Sequence, residues 1–139
     1  MNKLISRHPG VAAAEEAMRK AYAPFSGFKV GAAIMSKKSG LLYPGCNVEN
    51  SSFGATICAE RGALLSAIAR EGVSGFDYLV VFTDEDKPAV PCALCLQVLA
   101  EFCSQDFEIL LANYQGIQTR TTLGALLPLP FKFAPNPCP

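Results

Sequence analysis

The sequence lacks net charge, long hydrophobic runs and, with one exception, histidine. Among its 139 residues, twelve Lys and Arg balance twelve Asp and Glu, so no basic excess is available for a nucleic-acid backbone or an anionic membrane. No apolar run approaches the roughly 20 residues that span a bilayer, and the N-terminal stretch has no cleavable apolar core. We therefore expect a soluble, cytoplasmic protein that binds neither nucleic acid nor membrane.

Cysteine is abundant where histidine is scarce. In a secreted protein, six cysteines would allow fifteen complete disulfide pairings. In a reducing cytoplasm, a C-x-x-C motif with a further cysteine more often forms a metal or catalytic site. The six are Cys46, Cys58, Cys92, Cys95, Cys103 and Cys138.

Hydrophobic periodicity predicts one α/β domain over residues 1–139, because the chain is too short for a second core of useful size. The predicted order is α-β-β-α-β-α-β followed by a short helix. Two strand–helix–strand crossovers predict a partly parallel sheet with helices on both faces, which is a three-layer α/β/α sandwich. The predicted helices are 9–22, 58–72, 91–103 and 122–131, and the predicted strands are 28–36, 41–49, 78–83 and 107–113.

The spacing of three cysteines indicates a metal site. Cys92 and Cys95 are three residues apart at a helix start, so they share a face on which the helix dipole favours thiolates. With Cys58 they make three ligands, whereas His8 has no spacing relation to them. A structural zinc takes four protein ligands, while a catalytic zinc takes three and keeps one position for water. The pattern favours the open, catalytic type.

Two details bear on that choice. Cys46 or Cys103 could still supply a fourth ligand. Glu60, two residues after Cys58, can reach a water on the same metal only if Cys58 comes from the helix edge and Glu60 from its first turn. In that position Glu60 is expected to carry protons and not to bind the metal.

The combination of C-A-E with P-C-x-x-C resembles the zinc deaminase signature, in which a non-ligand glutamate handles the protons. The three-cysteine version resembles the small cytidine deaminases, which are homotetramers. Five stretches occur in that family's order: AYAPFSGFKVGAAI, GCNVENSSFG, TICAERGALLSAI, PCALCLQVLAEF and LLPLPF. The resemblance implies a cytidine deaminase-like α/β/α fold with a mixed sheet of about five strands.

The resemblance also implies catalytic roles. Cys58, Cys92 and Cys95 correspond to the ligands of one Zn²⁺ per chain, and Glu60 corresponds to the general acid and base. Three thiolates and Zn²⁺ sum to one negative charge, so a guanidinium that donates to a ligand sulfur would offset it. Arg61 is the candidate for that function, although a solvated helix arginine is the simpler interpretation.

A second set of residues is implied to bind the substrate. Asn47 and Glu49 correspond to contacts with the ribose hydroxyls, and two such side chains in an extended segment point to one side. Phe28 corresponds to a contact with the base and Ala59 to a main-chain contact with the pyrimidine. Phe131 corresponds to a side chain that reaches a neighbouring subunit's site, which implies a homotetramer.

Four positions depart from the family pattern. Ala93 and Leu96 replace the glycine and arginine of P-C-G-x-C-R-Q, which leaves Arg61 to carry the positive charge near sulfur. Phe53 replaces a frequent tyrosine, and Gly27 a larger polar residue. All expected zinc ligands and Glu60 are retained, so we expect an active enzyme whose rate and substrate preference are open.

The expected reaction is hydrolytic deamination of cytidine or deoxycytidine to the uridine nucleoside and ammonia, in pyrimidine salvage. Two alternatives stay open. A deaminase for another aminopyrimidine, such as the blasticidin type, would share the cysteine motifs but not the pair Asn47 and Glu49. A non-catalytic, zinc-stabilised binding module would have a fourth protein ligand and no use for Glu60.

Overall fold

A computed structural model describes residues 7–133; Cys138 and the rest of the C-terminal tail lie outside this range. None of the helices in the described range has the length and apolar character needed to cross a membrane. A 3-10 turn, Phe53–Ala55, precedes the second helix. The helices are α1 Pro9–Arg19, α2 Ala59–Glu71, α3 Ala93–Phe102 and α4 Leu123–Leu126, and the strands are β1 Val30–Ser36, β2 Leu42–Cys46, β3 Phe76–Thr83, β4 Glu108–Asn113 and β5 Gly116–Thr122.

The five strands form one mixed sheet in the order β2-β1-β3-β4-β5. Strands β3 and β4 pair in parallel, while the other neighbouring pairs are antiparallel. Because β2 and β3 both run antiparallel to β1, they point the same way. Helix α2 connects β2 to β3, and α3 connects β3 to β4. The two predicted crossovers and the mixed sheet are confirmed.

The two faces of the sheet bury separate apolar clusters. Alternate residues of a strand point to opposite faces, and in β3 this places Leu79 and Val81 in the cluster under α2 and α3. Val80 and Phe82 point the other way, into the cluster under α1. These four side chains are fully buried. The three-layer α/β/α prediction is therefore confirmed.

Strand β5 was missing from the pattern-based prediction. Its sequence, GIQTRTT, is largely polar and lacks the apolar run by which the other strands were identified. The strand lies at the edge of the sheet and pairs only with β4 within the described range. Gly116, with φ 103°, supplies the positive φ at the turn between the two strands. Backbone pairing to β4 therefore defines β5 more than side-chain burial does.

Close backbone packing fixes the start of α2 against the sheet. A Cβ added to Gly45 of β2 would lie 2.3 Å from both the carbonyl oxygen of Ala59 and the nitrogen of Ala63. Only glycine permits that approach. Because Cys58 immediately precedes α2, this contact also locates the first cysteine of the predicted metal site.

Candidate active site

The three predicted cysteines meet where two helices begin. Cys58 is the N-cap of α2 and Cys92 is the N-cap of α3, while Cys95 lies buried in the first turn of α3. Their sulfur atoms all lie within 4.8 Å of one another, and those of Cys58 and Cys92 are 3.8 Å apart. Both helices pack on the same face of the sheet, so their N-terminal ends can share a site.

No fourth cysteine or histidine joins this cluster within residues 7–133. His8 lies at the N-terminus of α1, where its Nδ1 accepts a hydrogen bond from the Gly10 nitrogen at 3.1 Å. Cys46 ends β2 and Cys103 is buried in the main apolar core. The described part of the chain thus supplies three sulfur ligands and leaves a fourth position open.

The electrostatics of the cysteines suit a cation. A hydrogen bond from Cys95 lowers the pKa of Cys58 to about 5, with help from Arg61 and against the effect of burial. The pKa of Cys95 is raised, first by that hydrogen bond and then by burial. The pair therefore holds a thiolate beside a thiol, and a bound cation would displace the remaining proton. Three sulfur donors in this arrangement fit zinc.

Glu60 lies next to the sulfur cluster but outside it. It is the second residue of α2, it is 4% exposed, and its Oε2 lies 3.8 Å from the Cys95 sulfur. Burial raises the pKa of Glu60, and the negative charge of Cys58 raises it further. The structure thus has Cys58 at the helix edge and Glu60 in the first turn, as the proton-transfer role requires. A buried carboxyl group with a raised pKa is suited to accepting a proton and returning it.

Arg61 provides positive charge at the sulfur cluster. Its Nη2 donates to the Cys58 sulfur and to the Thr56 carbonyl oxygen, each at 3.4 Å. The hydrogen bond to Cys58 raises the pKa of the guanidinium, so Arg61 remains charged. Leu96, which replaces a family arginine, packs into the main apolar core. Arg61 therefore places its charge beside Cys58, while Leu96 supplies none.

Asn47 holds the segment that leads into β1. Its side chain is buried; Oδ1 accepts a hydrogen bond from the Val30 nitrogen at 2.9 Å, and Nδ2 donates to the Phe28 carbonyl oxygen at 2.8 Å. Sequence reasoning gave Asn47 only a ribose contact. These two bonds show that it also fixes the main chain on which Phe28 is carried.

Glu49 holds the same segment further upstream. Its Oε1 accepts hydrogen bonds from the nitrogens of Phe25 and Ser26 at 2.9 and 3.1 Å, and its Oε2 accepts one from the Ser26 hydroxyl at 2.5 Å. The hydroxyl bond is the main reason that the pKa of Glu49 is lowered. The carboxylate is therefore ionised and fixed in direction.

The remaining predicted residues lie on different elements. Ala59, fully buried, is the first residue of α2, between a cysteine and Glu60. Phe28 is exposed at the end of the segment that Asn47 holds. Nearby in that segment, Phe25 packs edge-to-face against Phe53 with ring centroids 5.6 Å apart. Phe131 follows α4 and is 71% exposed.

A three-sulfur site with an open position and a buried acid beside it has the chemistry of a zinc-dependent hydrolase. Residues 7–111 match the family described as the cytidine and deoxycytidylate deaminase zinc-binding region. The chain belongs to this family of zinc-dependent deaminases, and zinc is its cofactor.

Individual relatives agree with that assignment. A cytidine deaminase from Sporosarcina psychrophila is 42% identical over 118 residues, which is 85% of each chain. The crystal structure of a cytidine deaminase from Burkholderia pseudomallei is 43% identical in sequence and superposes with a TM-score of 0.84. The match covers 91% of this chain and 100% of that one. A cytidine deaminase structure from Mycobacterium tuberculosis is 33% identical with a TM-score of 0.74, over 88% of this chain and 94% of that one.

Proposed function

We propose that this chain deaminates cytidine, deoxycytidine or both, releasing ammonia and the corresponding uridine nucleoside. The observation that carries the proposal is the buried carboxyl group of Glu60 beside the sulfurs of Cys58, Cys92 and Cys95. The similarity to cytidine deaminases over most of the chain supports the substrate class. The balanced charge of the chain supports a free nucleoside over a polynucleotide.

The reaction assigns distinct roles to the cluster and to Glu60. Cys58, Cys92 and Cys95 are the proposed ligands; when bound, zinc supplies a water of lowered pKa as the nucleophile. Glu60 would take a proton from the water as its oxygen bonds to C4 of the base, and would pass that proton to N3. A second proton, from the hydroxyl then on C4, would pass through Glu60 to the amino group, which leaves as ammonia while the C4 carbonyl forms. Arg61 stabilises the negative charge of Cys58 throughout.

The substrate contacts are proposed at Phe28, Asn47, Glu49 and Ala59. An amide nitrogen carries two hydrogens and each carboxylate oxygen has two lone pairs, so Asn47 and Glu49 can hold the loop and still bind sugar hydroxyls. The exposed Phe28 ring can pack on the base, and the Ala59 main chain begins the helix beside Glu60. Asn47 and Glu49 thus position the Phe28 ring and bind the ribose hydroxyls.

For Glu49→Ala we expect kcat/KM on cytidine to fall about tenfold or more, which corresponds to about 1.4 kcal/mol. Both kcat and KM should change, because sugar binding helps to orient the base. Asn47→Ala should show the same loss and also lower thermal stability, since the buried Val30 nitrogen loses its partner, at about 1–3 kcal/mol, and the Phe28 carbonyl loses its own.

The matched control is a substrate without the two ribose hydroxyls, 2′,3′-dideoxycytidine. If Asn47 and Glu49 bind those hydroxyls, the ratio of kcat/KM between the unmodified protein and each variant should be much smaller on this substrate than on cytidine. An equal loss on both nucleosides would assign Asn47 and Glu49 to holding the loop alone.

A spectrophotometric assay of the purified protein tests the function itself. The absorbance of the aminopyrimidine should fall when cytidine or deoxycytidine is the substrate, and should not change when blasticidin S is the substrate. Turnover of blasticidin S alone would favour the related aminopyrimidine deaminase. Zinc binding without turnover of any of these substrates, or of cytosine, would favour a zinc-stabilised binding module.

We further propose that the active form is a homotetramer, in which Phe131 of one subunit covers the base bound in another. Exposed apolar side chains beside the cysteine cluster and beside Phe131 support this assembly. Leu94, between two of the cysteines, is exposed, and Leu129 and Phe133 are 90% and 96% exposed. Apolar surface of this kind is typical of an interface, and closed symmetry is the usual form of assembly.

Phe131→Ala should lower kcat/KM about tenfold or more, because base–aromatic stacking contributes about 1–3 kcal/mol. Co-expression with Glu60→Gln chains should restore activity, since a hybrid site can take Glu60 from one chain and Phe131 from the other. Light scattering gives the oligomeric state. A fully active monomer at assay concentration would contradict both the tetramer and the role of Phe131.

The proposed setting is nucleoside salvage in the cytoplasm. The product retains its sugar and loses only the amino group, so the reaction fits recycling of preformed nucleosides. A cysteine-based metal site suits a reducing compartment, where its thiols stay available for zinc.

A further inference from the structure

The main chain of Phe131 is bound to one side chain of α3 at two points. Gln97 donates from Nε2 to the Phe131 carbonyl oxygen at 2.9 Å, and its Oε1 accepts from the Phe131 nitrogen at 3.1 Å. Both main-chain groups of one residue are thereby satisfied by a single amide, as a neighbouring strand would satisfy them. Sequence reasoning did not single out Gln97, because the contact joins residues 34 apart.

Residues 128–132, here called the strap, are otherwise lightly attached. The strap forms no helix or strand. Its other side-chain tethers are the bond from Gln105 Nε2 to the Pro128 carbonyl oxygen at 3.1 Å and the bond from Lys132 to the Ala100 carbonyl oxygen. A cavity of about 330 Å³ lies beneath the strap, between it and the C-terminal part of α3 with the loop that follows. Hydrogen bonds therefore fix the strap more than packing does.

The direction of the Phe131 ring depends on these bonds. Phe131 is 71% exposed, so packing within its own subunit does little to orient the ring. Pro128 and Pro130 restrict the φ angles of the strap but do not anchor it to the domain. The Gln97 amide is the contact that fixes the main chain at residue 131.

Gln97 also lies two residues after Cys95 on the same helix. One helix therefore carries two of the three cysteines and the anchor of the aromatic side chain. If the ring enters a neighbouring subunit, α3 belongs to one site through its cysteines and to another through Gln97.

We propose that Gln97 is a positioning residue that acts in trans: it fixes the Phe131 main chain so that the ring meets the base in a neighbouring subunit. The inference rests on the proposed function. Loss of the amide should leave the zinc site of its own chain intact and misplace an aromatic contact in the next. A misplacement of about 1 Å near a reacting group can cost about 100-fold in rate.

The first test compares Gln97→Met, which keeps the side-chain length and removes both hydrogen bonds, with Gln105→Ala, which removes a strap tether away from Phe131. We expect Gln97→Met to lower kcat/KM on cytidine about 10- to 100-fold, with one zinc per chain and a melting temperature close to the unmodified protein. The amide of Phe131 should also exchange with solvent faster. Gln105→Ala should stay within about twofold.

The second test separates action in trans from action on the chain's own site. Gln97→Ala chains are co-expressed with Glu60→Gln chains, and activity is expressed per chain that retains Glu60. We expect a gain over the pure Gln97→Ala protein, because hybrid sites combine an intact Glu60 with a correctly held Phe131. In a converse mixture, unmodified chains are co-expressed either with Glu60→Gln chains or with chains that carry both Glu60→Gln and Gln97→Ala. The doubly substituted chains should lower the activity per unmodified chain more, because they supply a misplaced Phe131 to the neighbouring site.

The outcomes distinguish this inference from the function on which it rests. An unmodified protein that does not deaminate cytidine overturns both. An active protein whose Gln97→Met variant is equally active overturns only the positioning role. Loss of zinc in Gln97→Met would assign Gln97 to the metal site, and no gain in the hybrids would show that it acts on the site of its own chain; either outcome overturns the role in trans.

Discussion

Glu60→Gln retains about one zinc per chain and loses nearly all turnover of cytidine: this is the largest effect on activity that we expect. Glutamine keeps the size of the buried side chain but cannot take up or deliver a proton at neutral pH. General acid–base catalysis contributes about 10²- to 10⁴-fold, so kcat should fall by that order. Zinc analysis of the purified variant and the absorbance assay measure the two halves of the prediction.

Glu108→Gln is the matched control for this substitution. Glu108 is an exposed residue at the start of β4, and its only described ion pair, with Arg120 at 3.7 Å, is a surface pair of little energetic weight. Its variant should have unmodified activity and zinc content. If Glu60→Gln instead loses zinc, then Glu60 binds the metal and the open-site interpretation is wrong.

Cys92→Ala should lose zinc and with it a large part of the thermal stability. Cys92 is exposed, and its side chain makes no capping hydrogen bond to α3, so without metal the substitution removes little. With metal, the loss of one of three ligands is severe, because zinc binding and folding are coupled. The melting temperature should therefore drop by several degrees in zinc-containing buffer, measured with zinc content on the same samples.

A strong chelator provides the decisive comparison. In its presence the unmodified protein and Cys92→Ala should melt at nearly the same temperature, because both then lack the metal. Cys46→Ala, outside the sulfur cluster, should keep its zinc in buffer without chelator. A difference between the unmodified protein and Cys92→Ala that persists in full under chelation would place the stabilising effect in the side chain and not in the metal.

The cysteine site could be predicted from sequence because it depends on local geometry. Cys92 and Cys95 share a face through helical spacing alone, and Cys58 and Glu60 belong to the start of one helix. The order of apolar strand-length runs and amphipathic helices, with its two strand–helix–strand crossovers, likewise predicted the three layers. Each of these signals comes from residues that are close together in the sequence.

The features that sequence reasoning missed depend on main-chain pairing or on polar contacts, neither of which leaves an apolar pattern in the sequence. Strand β5 is polar and is defined by its pairing to β4. The hydrogen bonds that Glu49 accepts from Phe25 and Ser26 span more than 20 residues, and those of Gln97 span 34. A polar side chain has no periodic pattern that shows which backbone it will bind, so these contacts emerge only when the fold is assembled.

The contact at Gly45 has a consequence for mutational tolerance. Gly45 is half-buried and belongs to none of the proposed ligand, proton-transfer or substrate contacts, yet even a methyl group there would overlap the backbone of α2 at 2.3 Å. Relief of that overlap moves the helix that carries Cys58 and Glu60. In a saturation library selected for deaminase activity, position 45 should therefore be nearly as depleted of substitutions as the cysteines themselves. The spacing of the catalytic groups is thus protected by a residue that has no side chain.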